Sequence, residues 1–189
     1  MDKVIKYATE KHSGQKRKNS QGNDYITHPL EVKKILLDHG VSDYNTLAGA
    51  ILHDTIEDTS ATYLELKENF GQEIADIVQE VSDDKSIPKE IRKKLQASRI
   101  SKKSYSARMI KIADKLSNTK DLLTDPPVHW SELDIKGYII WSLNVCENAM
   151  SPGDTPKKLV DFVKDHFREL GAYDYDSNIL EDYYKSLLF

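Results

Sequence analysis

The sequence predicts an all-α domain of nine or ten helices, and three observations carry that expectation. Apolar residues recur at helical spacing along nearly the whole chain. Helix-start and helix-stop residues stand where that spacing begins and ends. Strict apolar/polar alternation, the mark of a half-buried strand, is hard to find.

The helices are expected in this order. The first covers 2–13. The second covers 29–39 and sets Val32, Ile35 and Leu36 on one face. The third is read as one helix over 43–56: Ser42 precedes it, Leu47–Leu52 is its apolar run, and it continues through His53. Over 62–70, Thr62 and Glu65 have capping-box spacing and Gly71 supplies the stop. Ile74, Ile77, Val78 and Val81 stripe 72–83. Pro88 opens 88–97 from its first turn. Met109, Ile112, Ala113 and Leu116 define 104–122. Ser131 with Asp134 starts 131–149. Leu159, Phe162, Val163, Phe167 and Leu170 line 155–170, and a last helix is expected over 177–187. Polar or proline-containing loops fill 14–27, 98–103 and 123–130. No Gly- or Ser-rich linker divides the chain, so one helical domain is expected.

Composition narrows the function classes. The 189 residues suit one domain that buries roughly 70% of its unfolded surface. Apolar residues are 39% and charged residues 31%, a globular balance. The longest clear apolar run, Leu47–Leu52, is far short of the ~20 residues of a membrane helix. The start, Met1-Asp2-Lys3, lacks the apolar stretch of a secretory signal. Cys146 is the single cysteine, so no intrachain disulfide forms and a reducing, cytoplasmic setting is expected. A net charge of −4 argues against broad nucleic-acid binding, and an anionic ligand would need a local basic cluster or a metal.

The most informative segment is His53-Asp54-Thr55-Ile56-Glu57-Asp58. On a continuous helix, His53 pairs with Glu57 and Asp54 with Asp58, one turn apart. His53 and Asp54, neighbours at a helix edge, can lean on one ion. Taken alone the segment is better explained by a solvated or capping helix end. Two distant features change the balance: His28, before Pro29 at a helix start, and Asp114, inside Lys111–Leu116 beside an apolar stripe. Two imidazoles and two carboxylates suit a borderline or hard divalent ion with positions open to water, such as Mn²⁺. Zinc prefers fewer ligands and more thiolate, and iron matches on ligand type alone.

Four motifs then bear a family likeness. Arg17-Lys18 with Tyr25-Ile26-Thr27-His28-Pro29, the run His53–Thr59, the stretch Ser82–Lys85 with Pro88-Lys89 and Arg92–Gln96, and Lys111–Asn118 follow one another in order over roughly residues 1–150. Together they resemble the HD phosphohydrolases, and within them the RelA/SpoT-type alarmone hydrolases. The likeness is closest to the stand-alone small hydrolases typified by a metazoan SpoT homologue. It implies an HD-domain helical bundle over 1–172, with no room for a synthetase domain. Residues 173–189 find no match and form a tail or extra helix without an assigned role.

The resemblance also implies roles. His28, His53, Asp54 and Asp114 would hold one Mn²⁺ ion. Glu57 and Asp58 would be the acid/base pair, in either assignment. Arg17 and Lys18 would lie along the nucleotide base and its phosphates, Asn118 would face the ribose or base, and Lys89 and Tyr138 would reach the outer phosphates. The implied substrate is guanosine 3′,5′-bis(diphosphate) or its pentaphosphate relative, losing pyrophosphate from the 3′ position. The sequence departs from the pattern at Asn23-Asp24, at Ser117 in place of a common Tyr, at Lys120 in place of Arg, and at Asp134, where metazoan relatives tend to carry Arg.

Other readings stand beside this one. Removal of the 2′-phosphate of NADPH uses the same kind of site. A non-catalytic nucleotide-binding protein would usually have lost a ligand or the acid/base pair, and a purely helical interaction protein would make the motifs accidental. Lys93, Lys94, Lys102 and Lys103 are expected on solvated faces, and Ile140 and Trp141 in the core. Cys146 is expected to be inert packing. His12, His39, His129 and His166 are expected to be structural or exposed. The oligomeric state is left open.

Overall fold

The computed structural model describes residues 1–18, 22–120 and 122–188. Among them are ten α-helices of eight residues or more, one four-residue turn of helix and two 3₁₀ turns. The described residues contain no strand, only an isolated antiparallel bridge between Lys16 and Asp24. The helices are α1 (Asp2–Lys11), α2 (Thr27–Asp38), α3 (Tyr44–Leu52), the short α4 (Thr55–Asp58), α5 (Tyr63–Phe70), α6 (Gln72–Val81), α7 (Lys89–Arg99), α8 (Tyr105–Thr119), α9 (Glu132–Ala149), α10 (Lys157–Glu169) and α11 (Ile179–Ser186). None is long and apolar enough to cross a membrane.

Helix α8 is the axis of the bundle. Met109, Ile110, Ile112, Ala113 and Leu116 on it are buried, and α2, α3, α6 and α9 pack around it. A second apolar cluster joins α1, α3, α5 and α6 through Val4, Ile51, Leu66 and Val78. A third joins α7, α9 and α11 through Ala97, Trp141, Val145 and Tyr183. The segment after residue 172 therefore packs on α9.

Caps explain most boundaries. Thr62 accepts from the Glu65 amide (3.2 Å), and Gly71 ends α5 at φ 91°. Ser131 and Asp134 form a full capping box: each side chain accepts from the other's backbone N–H, at 3.1 and 2.9 Å. Asp134 thus has a local structural task. The cap of α3 is Asp43 rather than Ser42, its carboxylate accepting from the Thr46 amide at 2.8 Å.

Three expectations are corrected. The helix read over 43–56 is broken at His53–Asp54. The Thr55 hydroxyl donates to the Leu52 carbonyl (2.6 Å) and His53 Nδ1 to the Ala50 carbonyl (2.8 Å), while Asp54 sits at φ −97°, ψ −2°. Side chains thus take up carbonyls that a continuous helix would use. The loop expected over 98–103 is helical instead: α7 runs to Arg99 and a 3₁₀ turn covers Ile100–Lys102, because Ile100 is drawn fully into the core. Lys93 is buried rather than solvated. Asp121 in the predicted helix 104–122, positions 19–21 of the loop 14–27 and the terminal Phe189 lie outside the described residues.

Gly49 lets α3 approach α6 and α8. A Cβ there would lie 2.6 Å from Ile77 Cγ2 and 3.2 Å from Ile110 Cδ1. Gly49→Ala is expected to cost about 1–3 kcal/mol by overpacking. Urea unfolding should show a lower midpoint at unchanged slope.

Candidate metal centre

Three helices and one break bring the predicted ligands together. His28 lies in the first turn of α2, His53 and Asp54 at the break after α3, and Asp114 in the middle of α8. His28, His53 and Asp114 each offer one ligand atom within 4.8 Å of the others, and all three are buried. His28 Nε2 is 3.2 Å from Asp114 Oδ1 and His53 Nε2 is 3.0 Å from Asp54 Oδ2. The crossed distances, His28 to Asp54 and His53 to Asp114, are both 3.8 Å.

The far side of each imidazole is already used. His53 Nδ1 donates to the Ala50 carbonyl, which leaves the Nε2 lone pair facing the cluster. That Nε2 is buried without a hydrogen-bond partner. His28 Nδ1 lies 3.0 Å from Ser117 Oγ, whose hydroxyl donates to Glu31 Oε2 at 2.9 Å. Lys120 in turn holds Glu31 Oε1 at 2.8 Å. Ser117 therefore accepts from Nδ1–H, and His28 Nε2 is free to ligate. Ser117 and Lys120, two departures from the family pattern, form one continuous support for His28.

The electrostatics ask for a cation at this point. Burial pushes the His28 imidazole toward its neutral form. Burial opposes charge on Asp54 as well, but His53 and then His28 hold its carboxyl below the usual carboxylate range. Lys115, at 2.8 Å, holds Asp114 well below it, again against burial. At His53 burial is outweighed by Asp54 and Asp114, which raise its pKa. Two ionised carboxylates thus draw positive charge onto His53, and its buried Nε2, without a hydrogen bond, fits a divalent ion as well as a proton. The donor set, two nitrogens and carboxylate oxygens without thiolate, suits Mn²⁺ and similar ions.

The other predicted residues surround this cluster. Glu57 is half-buried and its Oε2 accepts from the Asp83 amide at 3.1 Å. Burial is the main cause that raises its pKa. Asp58 is ion-paired with Lys85, and its carbonyl accepts from Gln15 at 2.8 Å. Two cavities adjoin beside the cluster, and the inner one reaches it. The outer, of about 390 Å³, is bordered by Arg17, Lys18, Asp58, Lys89, Asn118 and Tyr138. The inner, of about 200 Å³, reaches Asp54, Glu57, Asp114 and again Lys89, Asn118 and Tyr138. Asn118 stands at their junction, donating to Asp114 Oδ1 (2.6 Å) and accepting from Arg17 Nη1 (3.2 Å).

Several residues at the site were missed from the sequence. The Tyr25 hydroxyl donates to Asp54 Oδ2 at 2.5 Å and borders both cavities. Tyr25 lies inside a quoted motif, so its position was visible but not its partner. Arg92, Lys93, Lys111 and Lys115 all reach the inner cavity. Of the four lysines expected on solvated faces, Lys94 and Lys102 are exposed, Lys93 is buried, and Lys103 is half-buried and donates to the Glu80 carbonyl. Trp141 is buried as expected, yet its edge borders the inner cavity.

Comparison with known proteins identifies the family and the fold. Residues 5–141 match the model of the family described as HD domain. The chain is 44% identical over 140 residues to guanosine-3′,5′-bis(diphosphate) 3′-pyrophosphohydrolase MESH1 of Xenopus tropicalis, covering 74% of this chain and 78% of that one. It is 38% identical over 166 residues to the Homo sapiens protein of the same name, covering 87% and 91%. A solved structure of a metazoan ortholog of SpoT that hydrolyzes ppGpp superposes with a TM-score of 0.85 at 35% identity, over 90% of this chain and 95% of that one.

Removing the support behind His28 should weaken the centre without touching a ligand. Ser117→Ala is expected to lower Mn²⁺ affinity about 10–100-fold, as outer-shell losses do. Titration calorimetry of the metal-stripped protein checks this.

Proposed function

The chain belongs to the HD domain family, and on that premise we propose that it is a Mn²⁺-dependent hydrolase that releases pyrophosphate from the 3′ position of guanosine 3′,5′-bis(diphosphate), leaving GDP, or GTP from the pentaphosphate. One observation carries this reading: a buried cluster of two imidazoles and two carboxylates opens onto a cavity rich in cations. The relatives named for the same reaction support it.

His28, His53, Asp54 and Asp114 would hold the ion. When bound, a divalent ion lowers the pKa of its water and neutralises phosphoryl oxygens. The remaining work falls to the chain. The oxygen of water bonds to the 3′-phosphorus and gives up one proton, the bond from phosphorus to O3′ breaks, and O3′ takes a proton. Glu57 would give that proton, a reading supported by burial, which favours its protonated form. Asp58, held by Lys85 at the mouth of the outer cavity, is the complementary carboxylate. Arg17 offers a planar guanidinium to the purine and Lys18 a point charge to its phosphates. Asn118 would meet the ribose, and Lys89 and Tyr138 the outer phosphates.

Charge favours a polyphosphate over NADPH. Lys89, Arg92, Lys93, Lys111 and Lys115 reach the inner cavity. Among its carboxylates, Asp54 and Asp114 would be offset by the ion. Glu57 and Asp83 line this cavity as well, and the cationic surplus that remains is answered more fully by a diphosphate than by a 2′-monophosphate. The protein is assigned to the cytoplasm, in keeping with its buried lone thiol, Cys146, and to small-molecule rather than nucleic-acid substrates.

Purified protein with Mn²⁺ should release pyrophosphate from guanosine 3′,5′-bis(diphosphate) and little orthophosphate from NADPH. Chelation should abolish turnover; orthophosphate from NADPH as the dominant product would overturn the substrate assignment. Glu57→Gln is expected to reduce kcat about 10²–10⁴-fold. With Glu57 as the acid, activity falls as pH rises through its raised pKa. That alkaline limb should lie above the ordinary carboxylate range and vanish in the Gln variant.

A further inference from the structure

Helix α11 lies beyond the residues matched by the family model, and the sequence assigns it no task. Its Tyr183 is 2% exposed and occupies the notch over Gly137 of α9, where an added Cβ would come within 2.4 Å of the tyrosine. Yet Tyr183 also borders the outer cavity, beside Tyr138 and Lys93. The Lys93 ammonium lies 3.2 Å from the Trp141 ring centroid, 4.5 Å from that of Tyr138 and 5.3 Å from that of Tyr183. Trp141 Nε1 donates to the Lys93 carbonyl at 3.0 Å and fixes the backbone beneath it.

We propose that α11 is part of the substrate site: Tyr183 is a positioning residue that closes an aromatic cage around the Lys93 ammonium, and Lys93 in that cage binds the departing diphosphate group. The proposal deepens the hydrolase reading and rests on it. A buried ammonium is usually matched by a carboxylate. Here Asp83 and Asp114 act only from beyond ion-pair distance, three π-faces supply the near contacts, and Lys93 Nζ makes neither a hydrogen bond nor an ion pair among the described residues. Its N–H donors therefore stay available where both cavities meet it. Burial, with Lys115 and Lys89 adding repulsion, drives the Lys93 pKa well down, and an entering anion reverses that penalty. A diphosphate oxygen is a strong acceptor for such a donor.

The test uses the full chain and inorganic pyrophosphate as probe, bound by calorimetry and as a competitive inhibitor of turnover. Tyr183→Ala is expected to weaken pyrophosphate binding and raise KM about 5–10-fold, as loss of one cation–π partner would, with kcat nearly unchanged. Tyr183→Phe should restore both. Tyr183→Leu, which keeps apolar volume without a π-face, should fold and behave as the Ala variant. In a Lys93→Met background, Tyr183→Leu should add nothing further. Restoration by Leu, an equal Tyr183→Leu effect with and without Lys93, or no pyrophosphate binding by the wild type would overturn the cage. Tyr183-dependent binding without any turnover would instead sink the hydrolase reading and leave the cage in place.

Discussion

Two imidazoles and two carboxylates meet inside an apolar bundle, and the cost of putting them there shapes the rest of the molecule. An isolated buried carboxylate would lose several kcal/mol of hydration. The structure offsets this with fixed partners: Lys115 and Asn118 on Asp114, Tyr25 on Asp54, a backbone carbonyl behind His53, and the relay from Ser117 through Glu31 to Lys120 behind His28. Most of these partners come from helices that the apolar core holds in place, and Tyr25 comes from the turn before α2. The centre is thus precise because its surroundings are packed, and the packing around α8 is what sets its ligand spacing.

An acidic chain that handles an anion separates its charges in space. Net charge is −4 overall, yet lysines and an arginine gather at the inner cavity. Many acids are spent elsewhere. Several pair with lysine or arginine one helical turn away, such as Asp38, Glu90 and Asp161. Others cap helices, such as Asp43 and Asp134. Exposed pairs of that kind contribute little to stability.

Local signals in the sequence were faithful where the physics is local. Periodicity placed the stripe on α6 and the core face of α8, and capping chemistry placed the starts of α5 and α9. The four candidate ligand positions, which the fold brings within 3.8 Å in pairs, could be named because each sits in a compact motif. What escaped depended on groups that meet only after folding. The break at His53–Asp54 arises when Thr55 and His53 side chains take nearby carbonyls, an option periodicity does not report. Lys93 reads as one more charge in a basic run, and only the arrival of α9 and α11 shows its amine among aromatic rings. Tyr183 lies in a stretch with no motif at all, and its place at the cavity is purely tertiary.

The notch at Gly137 has a consequence for how such a chain can change. Filling it with even a methyl group would evict the ring that rests there, so α9 and the distant end of the polypeptide constrain each other. Neither can drift alone. A lineage that shed its terminal helix would release position 137 to carry a side chain, and one that enlarged position 137 would lose its terminal helix as a wall of the cavity.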